Sequence, residues 1–207
     1  MGESVPTPEK SKCQYDDVKP GMKRSTWLTK ETIIWSKIIP YLGQRKVSEI
    51  TAKDVIDWQN TIRKLKNKAG KPISPTYLKT IHGQLSAIFN HAMKFYDLAA
   101  NPAQKAGTMG AEESKEMEFW TKEEYLKFSE AMMDKPLSYY AFELLYWCGV
   151  REGELLALSP SDFNFEKRTL RINKSYQRLE GEDVISTPKT KNSNRIVKMP
   201  QFLCNEM

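Results

Sequence analysis

Cysteine and histidine are scarce in this 207-residue chain: three cysteines, Cys13, Cys148 and Cys204, and two histidines, His82 and His91. The cysteines lie far apart and form no C-x-x-C pair, which excludes a disulfide framework and points to a reducing compartment. With so few soft ligands, a zinc site is not expected. There is no P-loop. No apolar run approaches the roughly 20 residues that cross a bilayer, so no membrane partner is expected. The N-terminus lacks the basic-then-apolar order of a signal peptide.

What is present suffices for packed cores, since 40% of the residues are hydrophobic and 11% aromatic. The formal charge of +6 suits a nucleic-acid partner without establishing one. Residues 1–21 are polar and punctuated by prolines, and read as a flexible leader. Residues 22–102 carry three helical patterns. The first starts near Ser25, with Leu28, Trp35, Ile38 and Leu42 on one face, and is expected to close at Pro40 and Gly43. Thr51, with Asp54 three residues later, opens the second, whose stripe is Val55, Trp58, Ile62 and Leu65. Ser74-Pro75 opens the third, with Leu78, Ile81, Leu85, Ile88, Phe89, Ala92 and Phe95 inward. His82 and His91 fall on this helix without a partner at a useful spacing and are expected to be structural or exposed. Between the second and third helices lies a basic stretch with Lys64, Lys66, Lys68 and Lys71. It and Lys79 are candidate phosphate contacts, against the plainer reading of a solvated surface.

Residues 103–117 show no apolar period and read as a linker. In residues 118–207, Thr121 and Glu124 form a capping box, and a helix from about Leu137 to Cys148 is apolar on most sides, as at the middle of a domain. The alternating stretch Thr169–Asn173, a turn and strand over Gly181–Pro188, and Arg195–Pro200 predict three strands, with a polar hairpin tip between the last two. The fold class expected is therefore mainly α with a small antiparallel β-sheet.

One stretch stands out. Gly149-Val150-Arg151-Glu152-Gly153-Glu154 sets an arginine between two apolar runs, where a charge is costly unless something anionic meets it. Glu154, one helical turn on, is placed to hold the guanidinium from behind and leave donors in front, as a phosphate clamp requires. A purely structural Arg–Glu brace fits the spacing equally well.

Taken in order, these motifs resemble the tyrosine recombinases, the phage-type integrase family. Gly149 to Leu158 is similar to the family's first arginine box, with Asp162-Phe163 following it. Thr187-Pro188-Lys189-Thr190-Lys191-Asn192-Ser193-Asn194-Arg195 resembles its lysine hairpin. The helical part resembles the SAM-like core-binding domain of integrases from phages and conjugative transposons, and the remainder a partial α+β catalytic domain. The resemblance implies a DNA site-specific recombinase that attacks a phosphodiester with a tyrosine. Arg151 would stabilise the extra charge on the phosphorane-like state, with Glu154 supporting it. Lys189 would protonate the leaving 5′-oxygen, with Lys191 as the alternative on the same turn. The bond energy is kept in the phosphotyrosine, so no nucleotide or metal is implied. The implied partners are double-stranded DNA at attachment or recombination sites and further copies of the enzyme on that DNA. The implied location is the cytoplasm, at the nucleoid, in a bacterial or phage-encoded protein.

The sequence departs from the family's pattern in one respect. No histidine and no tyrosine follows Tyr176, so the His-x-x-Arg box and the nucleophile have no counterpart here, and a C-terminally truncated enzyme is expected. The alternative is a non-catalytic DNA-binding fragment that occupies recombination sites or modulates a full-length integrase. An unrelated helical protein with a basic loop is the remaining reading, and salt-insensitive or absent DNA binding would favour it. The 207-residue polypeptide is predicted to form no phosphotyrosyl adduct with a nicked suicide duplex. A DNA-linked band that survives denaturing electrophoresis would refute this.

Overall fold

The computed structural model describes residues 21–111, 116, 118–187 and 193–207. The chain divides into two compact units, Met1–Glu116 and Met117–Met207. It is mainly α, with two small antiparallel sheets in the second unit.

In the first unit, helix α1 (Arg24–Ile33) runs through a π-helical turn (Ile34–Ile38) into a last turn, α2 (Ile39–Leu42). Pro40 was expected to close the helix, but it lies inside this continuous path. The wider turn comes just before Pro40, where a regular helix would lack an N–H for the Ser36 carbonyl and press the ring against it. Ile33, Ile34, Ile38 and Leu42 are inside, whereas Trp35, expected on one face with Ile38 and Leu42, is exposed.

Helix α3 (Ala52–Arg63) opens with the full Thr51–Asp54 capping box, and Arg45 pairs with Asp54 at 2.5 Å. Its Val55, Trp58 and Ile62 meet Leu78, Ile81, Leu85 and Phe89 of α4 (Pro75–Phe95) in one core. Ser74 caps α4 by accepting from the Tyr77 N–H at 3.3 Å. Phe95, predicted inward, is exposed at the end of the helix. His82 is buried, its Nδ1 lying 3.2 Å from Gln59 Nε2, which also donates to the Gly107 carbonyl at 2.7 Å. Burial lowers the pKa of this imidazole below its ordinary value.

Part of the stretch expected to be a linker is packed, and the division between the two units falls within that stretch, after Glu116. Helix α5 (Pro102–Ala106) lies against α3 and α4, and Ala103 and Met109 are fully buried. The segment is too short to show a period, so its two inward side chains escape a pattern-based reading. Asn101 anchors it. Its Oδ1 accepts from the Ala103 and Gln104 N–H groups at 2.8 and 3.1 Å, and its Nδ2 donates to Ser86 and Asn90 on α4.

In the second unit, α6 (Lys122–Ala131) starts at the Thr121–Glu124 capping box, with Trp120 near Tyr125 as a staple. Helix α7 (Pro136–Cys148) buries Glu143, Leu144 and Cys148. It is less enclosed than expected, because Leu137 is 91% exposed and Phe142 lies at the surface. Buried Glu143 accepts from the Tyr125 and Ser129 hydroxyls, both at 2.7 Å, which ties α6 to α7. After α8 (Glu152–Leu155) come β1 (Phe163–Asn164), β2 (Thr169–Ile172), β3 (Ser175–Leu179), β4 (Glu182–Ser186), β5 (Arg195–Lys198) and α9 (Gln201–Glu206).

One sheet has the order β1-β2-β5 and the other is the β3-β4 hairpin. The sequence reading missed β3 and expected β4 and β5 to flank one hairpin. Glu180 and Gly181 both have positive φ, so a two-residue turn pairs Leu179 with Glu182 and commits β4 to β3. Strand β5 pairs instead with β2, setting Ile172 opposite Arg195 and Leu170 opposite Val197. Leu170, Ile172, Met199 and Leu203 join Leu144, Cys148 and Val150 in the core.

Replacing Asn101 with Ala removes the cap of α5 and its bonds to Ser86 and Asn90 of α4. Urea or thermal denaturation of N101A is expected to show a loss of about 1–3 kcal/mol.

Candidate nucleic-acid interface

The arginine box begins where α7 ends. Gly149 takes the left-handed conformation, φ 60°, which closes α7 and turns the chain. Val150 enters the core, and Arg151 stands at the N-cap of the four-residue helix α8. Gly153 lets β3 approach: a Cβ there would lie 2.7 Å from Ser175 Oγ and 2.8 Å from the Tyr176 carbonyl oxygen. The backbone thus puts Glu154 inward and Arg151 outward. The Arg151 side chain is 74% exposed and that of Glu154 is 5% exposed.

The charge expected to be wedged between apolar runs is therefore in solvent, and the buried charge is the carboxylate. Glu154 Oε1 accepts from Arg151 Nη1 at 3.0 Å, and Oε2 accepts from the Arg151 backbone N–H at 2.9 Å. Arg195 on β5 also meets it, through Nη1 to Oε1 at 2.9 Å and Nη2 to Oε2 at 2.8 Å, and Nη2 reaches the Gly149 carbonyl at 3.4 Å. The Arg195 fork, opposed by burial and aided by the Arg151 backbone N–H and guanidinium, holds the Glu154 pKa down at about 2.

Arg195 is the residue that sequence reasoning passed over. It was noted only as the last residue of the lysine-hairpin motif and the start of a strand, yet it is the main partner of Glu154. Its signal was available in the alternation: Arg195 and Val197 share one face of β5, and Ile196 and Lys198 the other. Pairing with β2 turns the first face toward the core and leaves Ile196 70% exposed.

A second buried carboxylate follows. Asp162 accepts from the Ser159 N–H at 2.9 Å and the Ser159 hydroxyl at 2.7 Å, and pairs with Lys174 Nζ at 2.7 Å. Burial raises its pKa, but Lys174 and Ser159 outweigh that and bring it to about 2. This fixes the turn between α8 and β1 to the turn between β2 and β3.

Of the other candidates, Lys189 and Lys191 lie outside the described residues. Lys64, Lys66, Lys68, Lys71 and Lys79 are all exposed. The basic stretch is a built turn. Asn67 Oδ1 accepts from the Ala69 and Lys71 N–H groups, each at 3.0 Å, and Lys66 bridges to Pro72. The turn displays Lys66, Lys68 and Lys71 together, with Lys64 at the end of α3 and Lys79 early in α4. Among the described residues no three His, Cys, Asp or Glu side chains come together as metal ligands, and no helix is long and apolar enough to cross a membrane.

A helical unit thus precedes a helix-and-sheet unit with an arginine on a buried glutamate, and comparison with known proteins finds chains similar to it. Residues 15–63 match the family described as phage integrase, N-terminal SAM-like domain. The ICEBs1 integrase of Bacillus subtilis is 28% identical over 194 residues, covering 92% of this chain and 49% of that protein. A tyrosine recombinase XerC-like protein of Caldanaerobacter subterraneus is 34% identical over 145 residues, covering 61% and 36%. The Tn1549 transposon integrase, solved in complex with a circular intermediate DNA, superposes with a TM-score of 0.75 at 20% identity, over 93% of this chain and 62% of that one. Lambda integrase, solved as a dimer bound to a core site, superposes at 0.60 and 22% identity, over 86% and 47%. These matches all point toward the tyrosine recombinases. The chain spans about half the length of the first of these curated relatives and about a third of the second.

The depressed carboxylates predict an acid-labile second unit. A carboxyl whose folded pKa lies below its unfolded value stabilises the fold above the unfolded value and ceases to do so as pH falls through the folded one. For Glu154 that window runs from about 4.5 down to about 2. Denaturation of the parent across this range is expected to show a falling midpoint, and E154Q a flatter one.

Proposed function

We propose that this chain grips duplex DNA as part of a site-specific tyrosine recombinase, with Arg151 on a phosphate. The observation that carries this is the exposed guanidinium of Arg151 held from behind by a buried, ionised Glu154. A planar fork fixed at one nitrogen keeps its remaining donors aimed outward, which suits the non-bridging oxygens of a phosphodiester. Such donors, already in place before charge develops, lower the barrier to phosphoryl transfer.

Lys189, or Lys191 on the same stretch, is the proposed general acid for the leaving oxygen. The tyrosine that would attack is not among these 207 residues, whose last tyrosine is Tyr176. The chain on its own would therefore bind and position DNA and would rely on further residues for cleavage. The basic turn with Lys64, Lys66, Lys68 and Lys71, together with Lys79, supplies phosphate contacts from the first unit. Association of several copies on a DNA site, in the cytoplasm at the nucleoid, completes the reading. It is supported by the DNA-bound relatives, among them a lambda integrase tetramer on a Holliday junction.

Phosphate contacts make affinity fall with salt, by a log–log slope of about −0.9 per contact. A duplex titration at several salt concentrations is expected to give a steep negative slope. R151A should shorten it by about one contact, and replacing Lys66, Lys68 and Lys71 together with Ala should shorten it further. A flat salt profile would remove the proposal.

A further inference from the structure

Glu154 has two guanidiniums and one negative charge between them. A lone Arg151–Glu154 pair would be neutral, and its carboxylate would compete with any incoming phosphate for the Arg151 donors. Arg195 alters that balance. Its fork covers both carboxylate oxygens at 2.9 and 2.8 Å, whereas Arg151 reaches one of them with a single guanidinium nitrogen at 3.0 Å. The Arg195 side chain is 29% exposed and sits on the inward face of β5, beneath the arginine box rather than in front of it.

We infer that Arg195 is a charge-compensating and positioning residue for the Arg151 clamp. It neutralises Glu154, so that the glutamate orients Arg151 through a hydrogen bond without cancelling its charge. The three groups then carry a net charge of +1, and the most exposed of them is the guanidinium that faces solvent. Arg195 also fastens β5 to the start of α8, through Glu154 and the Gly149 carbonyl. The strand that follows Lys189 and Lys191 in sequence is thereby tied to the arginine box. This inference rests on the reading of Arg151 as a phosphate contact.

The test is the binding of the full chain to a short fluorescent duplex of arbitrary sequence, read as affinity and salt slope. R195M leaves Glu154 with Arg151 as its sole guanidinium partner. It is expected to weaken binding several-fold and to shorten the slope by about one contact. The double variant E154Q/R195M removes the uncompensated carboxylate and is expected to recover the parent slope. A merely structural role for Arg195 predicts no such recovery, since the second substitution removes still more of the network. A double variant as weak as R195M, or an R195M that binds as the parent does, overturns the inference. Where R195M fails to fold, R195K and R195Q carry the same comparison: the lysine is expected to hold the parent slope and the glutamine to shorten it, and equal slopes overturn the inference. R151A separates the two levels. If it binds as the parent does, the phosphate reading itself fails; if it weakens binding while R195M does not, only the role of Arg195 fails.

Discussion

A carboxylate taken out of water is the constraint around which the second unit is arranged. Glu154 is almost fully buried, and burying an isolated carboxylate costs several kcal/mol unless each oxygen is met by donors. Here both oxygens are met twice, by the Arg195 fork and by the backbone N–H and guanidinium of Arg151. Those four bonds require Arg151 to cap α8 and β5 to present Arg195 inward. Ion pairs of this kind rarely stabilise a fold more than apolar side chains of the same volume. What the arrangement supplies is position: a guanidinium held at one end and open at the other.

The same device recurs because the elements around it are short. Helix α8 has four residues and the turn at Pro160–Asp162 three, well below the length at which a helix holds itself together. Such pieces keep their place through side chains that reach to distant strands. Glu154 reaches β5, and Asp162 reaches Lys174 between β2 and β3. Glu143 joins α6 to α7 through two hydroxyls. The first unit, with the 21-residue helix α4, relies instead on an apolar core, with side-chain networks at Asn101, which serves the short helix α5, and at Gln59 and His82.

How much of this could be read from the residues follows from the range of each interaction. The Thr51 and Thr121 caps, the Ser74-Pro75 start and the Glu154 support of Arg151 span three residues or fewer, and local spacing reveals them. Arg195 lies 41 residues from Glu154, and its role depends on which strand β5 pairs with. That pairing was set by the turn at Glu180–Gly181 and by the missed strand β3. Trp35 was misplaced for a different reason: it lies within the π-helical turn, where regular helical spacing fails, while Ile38 and Leu42 are inward as read. Met109 and Ala103 were hidden by the brevity of their segment. The basic turn was legible as a loop, but its order comes from Asn67, whose side chain closes it through two backbone N–H groups.

On the proposed reading, the two units grip DNA by unlike means. The first presents several ammonium groups on long flexible stems from a surface turn, each a point charge that follows a phosphate without fixing its geometry. The second presents one guanidinium whose plane is set by a buried carboxylate. Contacts of both kinds fall on the sugar–phosphate backbone, and such contacts place a protein on a duplex without reading its sequence. None of the residues assigned here discriminates one base pair from another. The choice of site must then come from other side chains, from DNA shape, or from the way several copies share a target. The clamp at Arg151 needs none of these to act, because every phosphodiester offers it the same two oxygens.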